Sequence, residues 1–547
     1  MSIVTSTILS NEEKIDPSYT LLSIEVRKEV NRIPSAHIRV KDGDPTTGTF
    51  PLSESPFFEP GKKIEIKLRH EEGGSDATVF KGIVVGQGIE VTGSNIVLTI
   101  DLKDAAIKMT QVRKTTVYRE KSDDAIIATL VQEANLSEGT LAATTPVHAE
   151  IIQYYCTDWD FMLSRADANA LLVVVDDGEV ALTKMEAATS SVMQFEFGID
   201  EIYDFEMQAD AQNQYTAVAA SAWDLKNQES LKPLEAEAVT LSQGDLKGEA
   251  LAEKIGFEDL LLSHPVPLEA EELQAWADAR MARSRLSLIR GRIAVPGLSE
   301  IKLLDGIDLL GLGTRFNGRA TVTGIFHRVD AQGWQTDFQF GLSAKGFSQK
   351  EGIPDQAAAG LLPPVSGLQI GVVDVFEEDL KGEFRLKVKL AGLDVEQGSV
   401  WARLASPDAG LERGFFFRPE VDDEVIVGFF NDDPRQAVVL GAMYGSKNKP
   451  PADFSALDDK NINKGIVTQK GSTIGFVDDE KSQVFIQTPG ENKLLLDDDG
   501  EAIVLSDQHG NTITMDAAGI EIKSAKDIKL TAASGNVDIT GKEVNIN

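Results

Sequence analysis

Along much of this chain apolar and polar residues alternate with a period of two, the spacing that turns one face of a strand into a core and the other into solvent. Leu21 to Val30 (LLSIEVRKEV), Ser35 to Gly43 (SAHIRVKDG), Lys62 to His70 (KKIEIKLRH), Phe80 to Gly88 (FKGIVVGQG) and Asn95 to Asp104 (NIVLTIDLKD) are such runs, set apart by Gly, Pro and Asp. Strands at this spacing without long helices predict a barrel or sandwich. Helical spacing then appears. Ser122 and Asp123 can cap DDAIIATLVQEANL, with Ile126, Ile127, Leu130 and Val131 on one face. Asp158 can cap a second helix carrying Phe161, Met162, Leu163 and Ala166, before the strands LLVVVDDG and VALTKM. After the strand Tyr215 to Trp223 comes the strongest helical pattern, Glu269 to Ile289, acidic in its first turn and basic towards its end. That polarity suits the helix dipole, and the pattern reads as a structural amphipathic helix. Alternation with Gly-rich turns resumes from Gly291 to Leu342.

The C-terminal stretch from Glu501 to Asn547 follows a shorter rule. Apolar residues recur as i, i+2 pairs: Ile503 and Leu505, Ile513 and Met515, Ile520 and Ile522, Ile528 and Leu530, Val537 and Ile539, Val544 and Ile546. The pairs start 10, 7, 8, 9 and 7 residues apart, with turn formers such as Asp507 to Asn511, Asp516 to Gly519 and Ser534 to Asn536 between them. Each unit is a short strand with two inward side chains. A parallel β-helix closed by one chain takes a longer coil, so a unit this short supplies one wall and other chains supply the rest. Three copies about one axis, a homotrimer with an intertwined triple-stranded β-helix, would bury these twelve side chains in a shared core and leave few open edges. The alternative is a set of ordinary hairpins in one antiparallel sheet. Six regular units with no long apolar partner segment count against it.

Composition narrows the functions. The 547 residues suffice for three or four domains, and 42% hydrophobic with 26% charged residues is globular. A net charge of −34 with no basic patch to offset it repels nucleic acid and anionic lipid headgroups. The one cysteine, Cys156, excludes a disulfide framework, and its aromatic neighbours suggest a buried thiol. The N-terminus lacks the basic start and apolar run of a secretory signal, and no stretch approaches the roughly 18 apolar residues of a membrane span. Synthesis and folding in a bacterial cytoplasm are expected.

Several segments resemble a known family. FNGRATVTGIFHRV and WQTDFQFGL are similar to the end of the hub region of phage tail hub proteins and VgrG spike proteins, and YYCTDWDFMLSRA and SAWDLKNQE to landmarks inside that hub. The run from Gly414 to Gly445 is more specific. In that family a small OB barrel ends with Pro-x-x-Gly/Asp-x-Glu-Val, an Asp-Pro turn and a strand closing in Gly-x-x-Tyr. Pro419, Asp422, Asp423, Glu424, Val425, Asp432, Asp433, Pro434, Gly441 and Tyr444 match it. The order hub, barrel, prism covers the whole chain. It divides as residues 1–360, a hub of two barrel-like modules with a few helices (about 1–120 and 150–345); 361–446, an OB-fold barrel; 447–464, a neck; and 465–547, the triple-stranded β-helix. The expected fold class is therefore mainly β.

The resemblance implies a structural trimeric spike of a contractile injection system. Its hub would dock on a hexameric inner tube, and a PAAR-type tip protein would sit on Val544, Asn545, Ile546 and Asn547 and meet the target membrane only on puncture. A phage relative inserts a lysozyme domain where this chain has only Lys447 to Lys464, and many type VI spikes carry a toxin beyond the prism, whereas this sequence stops at Asn547. A plain spike without a built-in enzyme is expected, in an extracellular phage-tail-like particle sooner than a type VI system, with effector cargo held through the tip. The alternative is a β-helical glycan depolymerase of a phage-like particle. That chemistry needs a carboxylate-lined and aromatic groove, and aromatics are almost absent after Phe485. The six histidines (His37, His70, His148, His264, His327 and His509) show no metal spacing, and neither a Walker loop nor GxSxG is present, so no cofactor is expected. Gly311 and Gly313 read as a β-turn, as does the run Asp497 to Asp499.

Overall fold

Alternation in the first hundred or so residues produces the strands Val4–Ser10, Leu21–Glu29, Ser35–Lys41, Lys63–His70, Ala77–Thr92 and Asn95–Lys103. Their inward residues, among them Ile24, Val26, Ile38, Ile66, Phe80 and Leu98, form one core. The computed structural model describes residues 4–71, 75–93, 95–224, 226–349, 352, 357–391, 399–455 and 459–546. It divides into two units, residues 1–355 and 356–547.

In the first unit a second set of strands repeats the plan. Ile289–Pro296, Gly306–Leu310, Gly318–Asp330 and Gly333–Phe340 enclose Ile293, Ile307, Val322, Phe338 and Phe340. Gly318–Asp330 pairs with Leu21–Glu29, from Gly324 opposite Glu29 to Val329 opposite Ile24, so the two modules share one continuous sheet. Val329 and Trp334 reach from the second module into the first module's core.

Between the modules a third core gathers the helices Asp123–Glu133 and Asp158–Ala168 against Leu171–Asp176 and Glu179–Lys184. Ser122 stands at the N-cap of the first helix as the sequence reading has it, but makes no side-chain cap bond, and Asp123 is buried and turned inward to Arg165, Asn169 and His148. Thr157, not Asp158, caps the second helix: its Oγ1 accepts from the Asp160 N–H at 3.1 Å, while Asp158 takes Lys114 Nζ at 2.7 Å. The Ala270–Leu286 helix is amphipathic only in its first half. Its end is buried on all sides, with Arg283 paired to Asp167 and Arg285 donating to the Tyr215 carbonyl at 2.8 Å. A buried guanidinium is tolerable only with such partners.

The second unit begins with five short strands, Gln369–Val373, Leu386–Leu390, Val400–Leu404, Glu424–Phe429 and Ala437–Ala442. They close in the order first, second, third, fifth, fourth and back to the first, with the third and fifth parallel. This is a five-stranded Greek-key barrel of OB type. Gly371 marks its tightest approach, since a Cβ there would lie 2.4 Å from Val388 Cγ1. Seven strands follow as an antiparallel meander, so within one chain this segment is the run of hairpins in one sheet that the sequence reading counted against: Asn463–Val467, Thr473–Asp478, Ser482–Gln487, Lys493–Asp497, Ala502–Ser506, Thr512–Asp516 and Gly519–Lys523. The protein is thus mainly β, with a closed five-stranded barrel.

Candidate functional site

The register of the meander stacks its apolar residues into two columns on one face. Ile466, Ile474, Ile486, Leu494, Leu505, Ile513 and Ile522 are successive cross-strand partners. Phe476, Val484, Leu496, Ile503, Met515 and Ile520 form the second column, with Lys464 at its head. Cross-strand partners and i, i+2 neighbours share a face, so the columns make one continuous apolar wall. Nothing in the chain covers it among the described residues: Ile503, Leu505 and Met515 are exposed, and Ile520 is 70% exposed.

The opposite face is partly covered by the chain itself. A Cβ on Gly475 would lie 2.2 Å from Phe485 Cζ, and one on Gly465 would lie 2.5 Å from Phe454 Cζ, so both rings lie flat on glycine backbone. Lys493 Nζ sits 5.1 Å from the Phe485 ring centroid. The strand ends are locked by side-chain turns. Asp507 accepts from the N–H of His509 and of Asn511, each at 2.9 Å, and Asp497 accepts from the Asp499 N–H at 3.1 Å and from Gln483 at 2.8 Å. Donors from Asn511 hold the Asp507 carboxyl below the usual range, and the Gly500 N–H does the same for Asp497.

Of the six pairs read from the sequence, Ile503 with Leu505, Ile513 with Met515 and Ile520 with Ile522 lie in this wall. Ile528, Leu530, Val537, Ile539, Val544 and Ile546 are exposed and belong to no strand among the described residues. Val544, Asn545 and Ile546 are open to solvent, and Asn547 lies outside the described residues. The sequence reading placed the chain from residue 465 onward in the prism but named no apolar pair before Ile503, so the inward residues of the first four strands were not picked out. Their signal was present, but the runs VFI and LLL and the glycine between Ile474 and Phe476 disguise the alternation.

The barrel motif works as structure. Val425 is fully buried, and Glu424 pairs with Val372 where the ring closes. Asp423 accepts from the Glu420 N–H at 2.9 Å, which sets the turn after Pro419, and Asp422 bends the chain at φ +71°. Asp433 takes the Arg435 N–H at 2.9 Å and its guanidinium, so Arg435 holds that carboxyl down at about 2. Pro434 lies in the same connection, two residues after Asp432 at φ +56°. Gly441 faces Ile426 beside a bulge, and Tyr444 is exposed.

Other candidate chemistry is dispersed. Cys156 is half-buried, and burial pushes its thiol up. Among the described residues no three His, Cys, Asp or Glu side chains converge as metal ligands, and no helix is long and apolar enough to cross a membrane. The polar cluster of Asp123, Arg165, His148 and Glu272 ties three helices together: Arg165 donates to Asp123 at 2.7 and 2.9 Å and to Glu272 at 2.9 Å. Burial pushes the Asp123 carboxyl up, and the Arg165 guanidinium outweighs it and holds the group below the usual range.

Comparison with known proteins places these regions. Residues 1–331 match the family described as the Alg8 N-terminal domain. Residues 369–444 match the type VI secretion system/phage-baseplate injector OB domain, and 483–547 match the phage baseplate V C-terminal trimerisation domain. Over 118 residues the chain is 30% identical to the actin cross-linking toxin VgrG1 of Vibrio cholerae, covering 21% of this chain and 11% of that protein. It is 31% identical over 118 residues to the type VI secretion system spike protein VgrG3 of the same species, covering 21% and 12%. The match thus spans about a tenth of each relative's length. Among solved structures, the 43 kDa tail protein of prophage MuSo2 from Shewanella oneidensis aligns with TM-score 0.46 and 10% identity over 62% of this chain and 97% of that one. The E. coli c3393 protein, a type VI secretion component, aligns at 0.39 and 11% over 80% and 99%.

Proposed function

The chain belongs to the VgrG-type phage baseplate spike family, with an Alg8-type N-terminal domain, and on that premise we propose that three copies form the central spike of a contractile injection system. The observation that carries the reading is the pair of uncovered apolar columns, most of whose length lies in the segment matched to a trimerisation domain. Each Ile, Leu, Val, Phe or Met fully withdrawn from water contributes about 1.5–3 kcal/mol, so three walls facing one axis form a stable shared core. Such a prism resists axial force because many contacts compress together. The role is mechanical, not enzymatic.

The hub supports docking on a hexameric tube: one chain holds two modules in one sheet, and three chains present six. Val544 to Asn547 would receive a tip protein of the PAAR type, with effector cargo carried beneath it. The test is the solution mass of the full-length protein by light scattering, with negative-stain images of the same sample. Three chains in a particle with a narrow shaft are expected; a compact monomer would overturn the reading.

A further inference from the structure

The barrel has its own uncovered surface, distinct from the meander wall. It is built by the connection between the first and second barrel strands, residues 374–385, and by the connection that enters the fourth strand, residues 405–423. Asp379 organises the first. Its carboxylate accepts from the N–H groups of Lys381, Glu383 and Arg385 at 3.1, 3.0 and 3.3 Å and from the Arg385 guanidinium at 3.0 and 2.5 Å. Arg385 holds that carboxyl well below the usual range.

A loop fixed this firmly does not hide its apolar side chains. Leu380 is 93% exposed and Phe384 is 83% exposed, the latter at φ +54°, a conformation that is strained for an aromatic residue. From the second connection, the Arg418 guanidinium stands 5.3 Å from the ring centroids of both Phe376 and Phe416. Phe376, Phe384, Arg385 and Arg418 line a shallow cavity of about 280 Å³. Rigid, strained and apolar, this rim is built for contact and not for solvent.

We infer that this rim is covered by the barrel of a neighbouring copy around the spike axis. The inference rests on the trimer reading above. Twenty residues separate the last barrel strand, ending at Ala442, from the first meander strand, starting at Asn463. Even fully extended that length reaches only about 70 Å, so three joined meanders hold their barrels at millimolar effective concentration. An independent interface buries about 800 Å² per partner, and tethering removes that requirement.

Charge favours a copy of the same chain. Arg418 has no carboxylate partner among the described residues, and Glu378, exposed on the same rim, has no cation. A cyclic interface brings two different edges of one patch together, so Arg418 of one barrel can meet Glu378 of the next.

The experiment uses the full chain with p-benzoylphenylalanine in place of Phe384, an exposed position that tolerates the larger group. Its mass is measured by light scattering before irradiation, and adducts are then mapped by mass spectrometry. The inference predicts a trimer whose adducts double the chain mass and join Phe384 to residues 369–444 of another copy. Arg418→Glu should lower that yield several-fold, and adding Glu378→Arg should restore it. A trimer with adducts to the hub or with none overturns this inference and leaves the spike reading standing. A monomer overturns both.

Discussion

The barrel and the meander are made of the same material and reach opposite outcomes. Both use strands of five or six residues, paired mainly antiparallel and rich in Val, Ile and Leu. In the barrel, Val388, Ala402, Val425, Val427 and Val439 are fully buried. In the meander, the equivalent inward residues Ile503, Leu505 and Met515 are 43–49% exposed. The difference is closure. The barrel's first strand pairs with both the second and the fourth, so its five strands enclose a core within one chain. The meander ends on two open edges, Asn463–Val467 and Gly519–Lys523, and among the described residues its wall has nothing to face. Apolar content is therefore no measure of self-sufficiency; a region that cannot close must be completed from outside.

The strongest way to break this comparison is Ile520→Asp with Ile522→Asp, at the end of both columns. Three copies would bring six carboxylates into one dry core, and unpaired buried charges are not tolerated at that density. Loss of the trimer by light scattering is expected, with the hub and barrel still folded by circular dichroism. Trimers of unchanged heat resistance would mean that the wall does not face other copies.

A second effect separates the self-closed hub from the assembled meander by pH. His327 is buried between strands, with Nδ1 3.0 Å from Thr336 Oγ1 and near the Trp334 indole, and burial together with Lys28 lowers it from 6.5 to about 3. The folded chain keeps this imidazole neutral while the unfolded chain protonates it below about 6.5, so its contribution is present above that pH and lost as pH falls towards 3. Hub stability should drop by about 1.4 kcal/mol per pH unit in that window. His327→Gln should flatten the limb, measured by denaturant unfolding at several pH values. The barrel matches residues 369–444, which hold no histidine, and it should lack this limb.

Smaller still is Val427→Ala in the barrel core, which removes two buried methyl groups at a cost of about 1–3 kcal/mol. It sharpens the contrast through concentration: the barrel loss should be the same at every protein concentration, whereas melting of the meander should shift with it. A Val427 loss that itself changed with protein concentration would show that the barrel core, and not its rim alone, is completed by neighbours.

What could be read beforehand follows the same division. The hub strands and the barrel alternate cleanly because each has one buried face inside its own chain, so Leu21 to Asp104 and Glu424 to Phe429 were legible directly. The helix caps were not. Thr157 and Asp158 are both good cap residues, and the bonds that Lys114 and Gln153 make to Asp158 decide between them. In the C-terminal segment the pairs from Ile503 to Ile522 were visible and the earlier rows were not. Phe485, Leu495 and Val504 belong to the opposite face and fill the gaps that a strict alternation would leave polar. The barrel rim escaped the sequence altogether: nothing in the run Phe415, Phe416 and Phe417 marks it as surface, and the fold turns all three outward.

The smallest expected effect is also the most selective. Val544, Asn545 and Ile546 are exposed and take part in no strand of the chain among the described residues, so deleting Val544 to Asn547 removes nothing on which the wall from Ile466 to Ile522 depends. Trimer mass and melting temperature should stay within error of the parent protein. If these residues form the platform for a tip protein, the truncated spike should fail to retain a PAAR-type partner in a pull-down while the full chain retains it. Retention by both would place the tip contact elsewhere. A fall in trimer stability would instead put Val544 and Ile546 in the shared core, on the side of the meander and not beyond it.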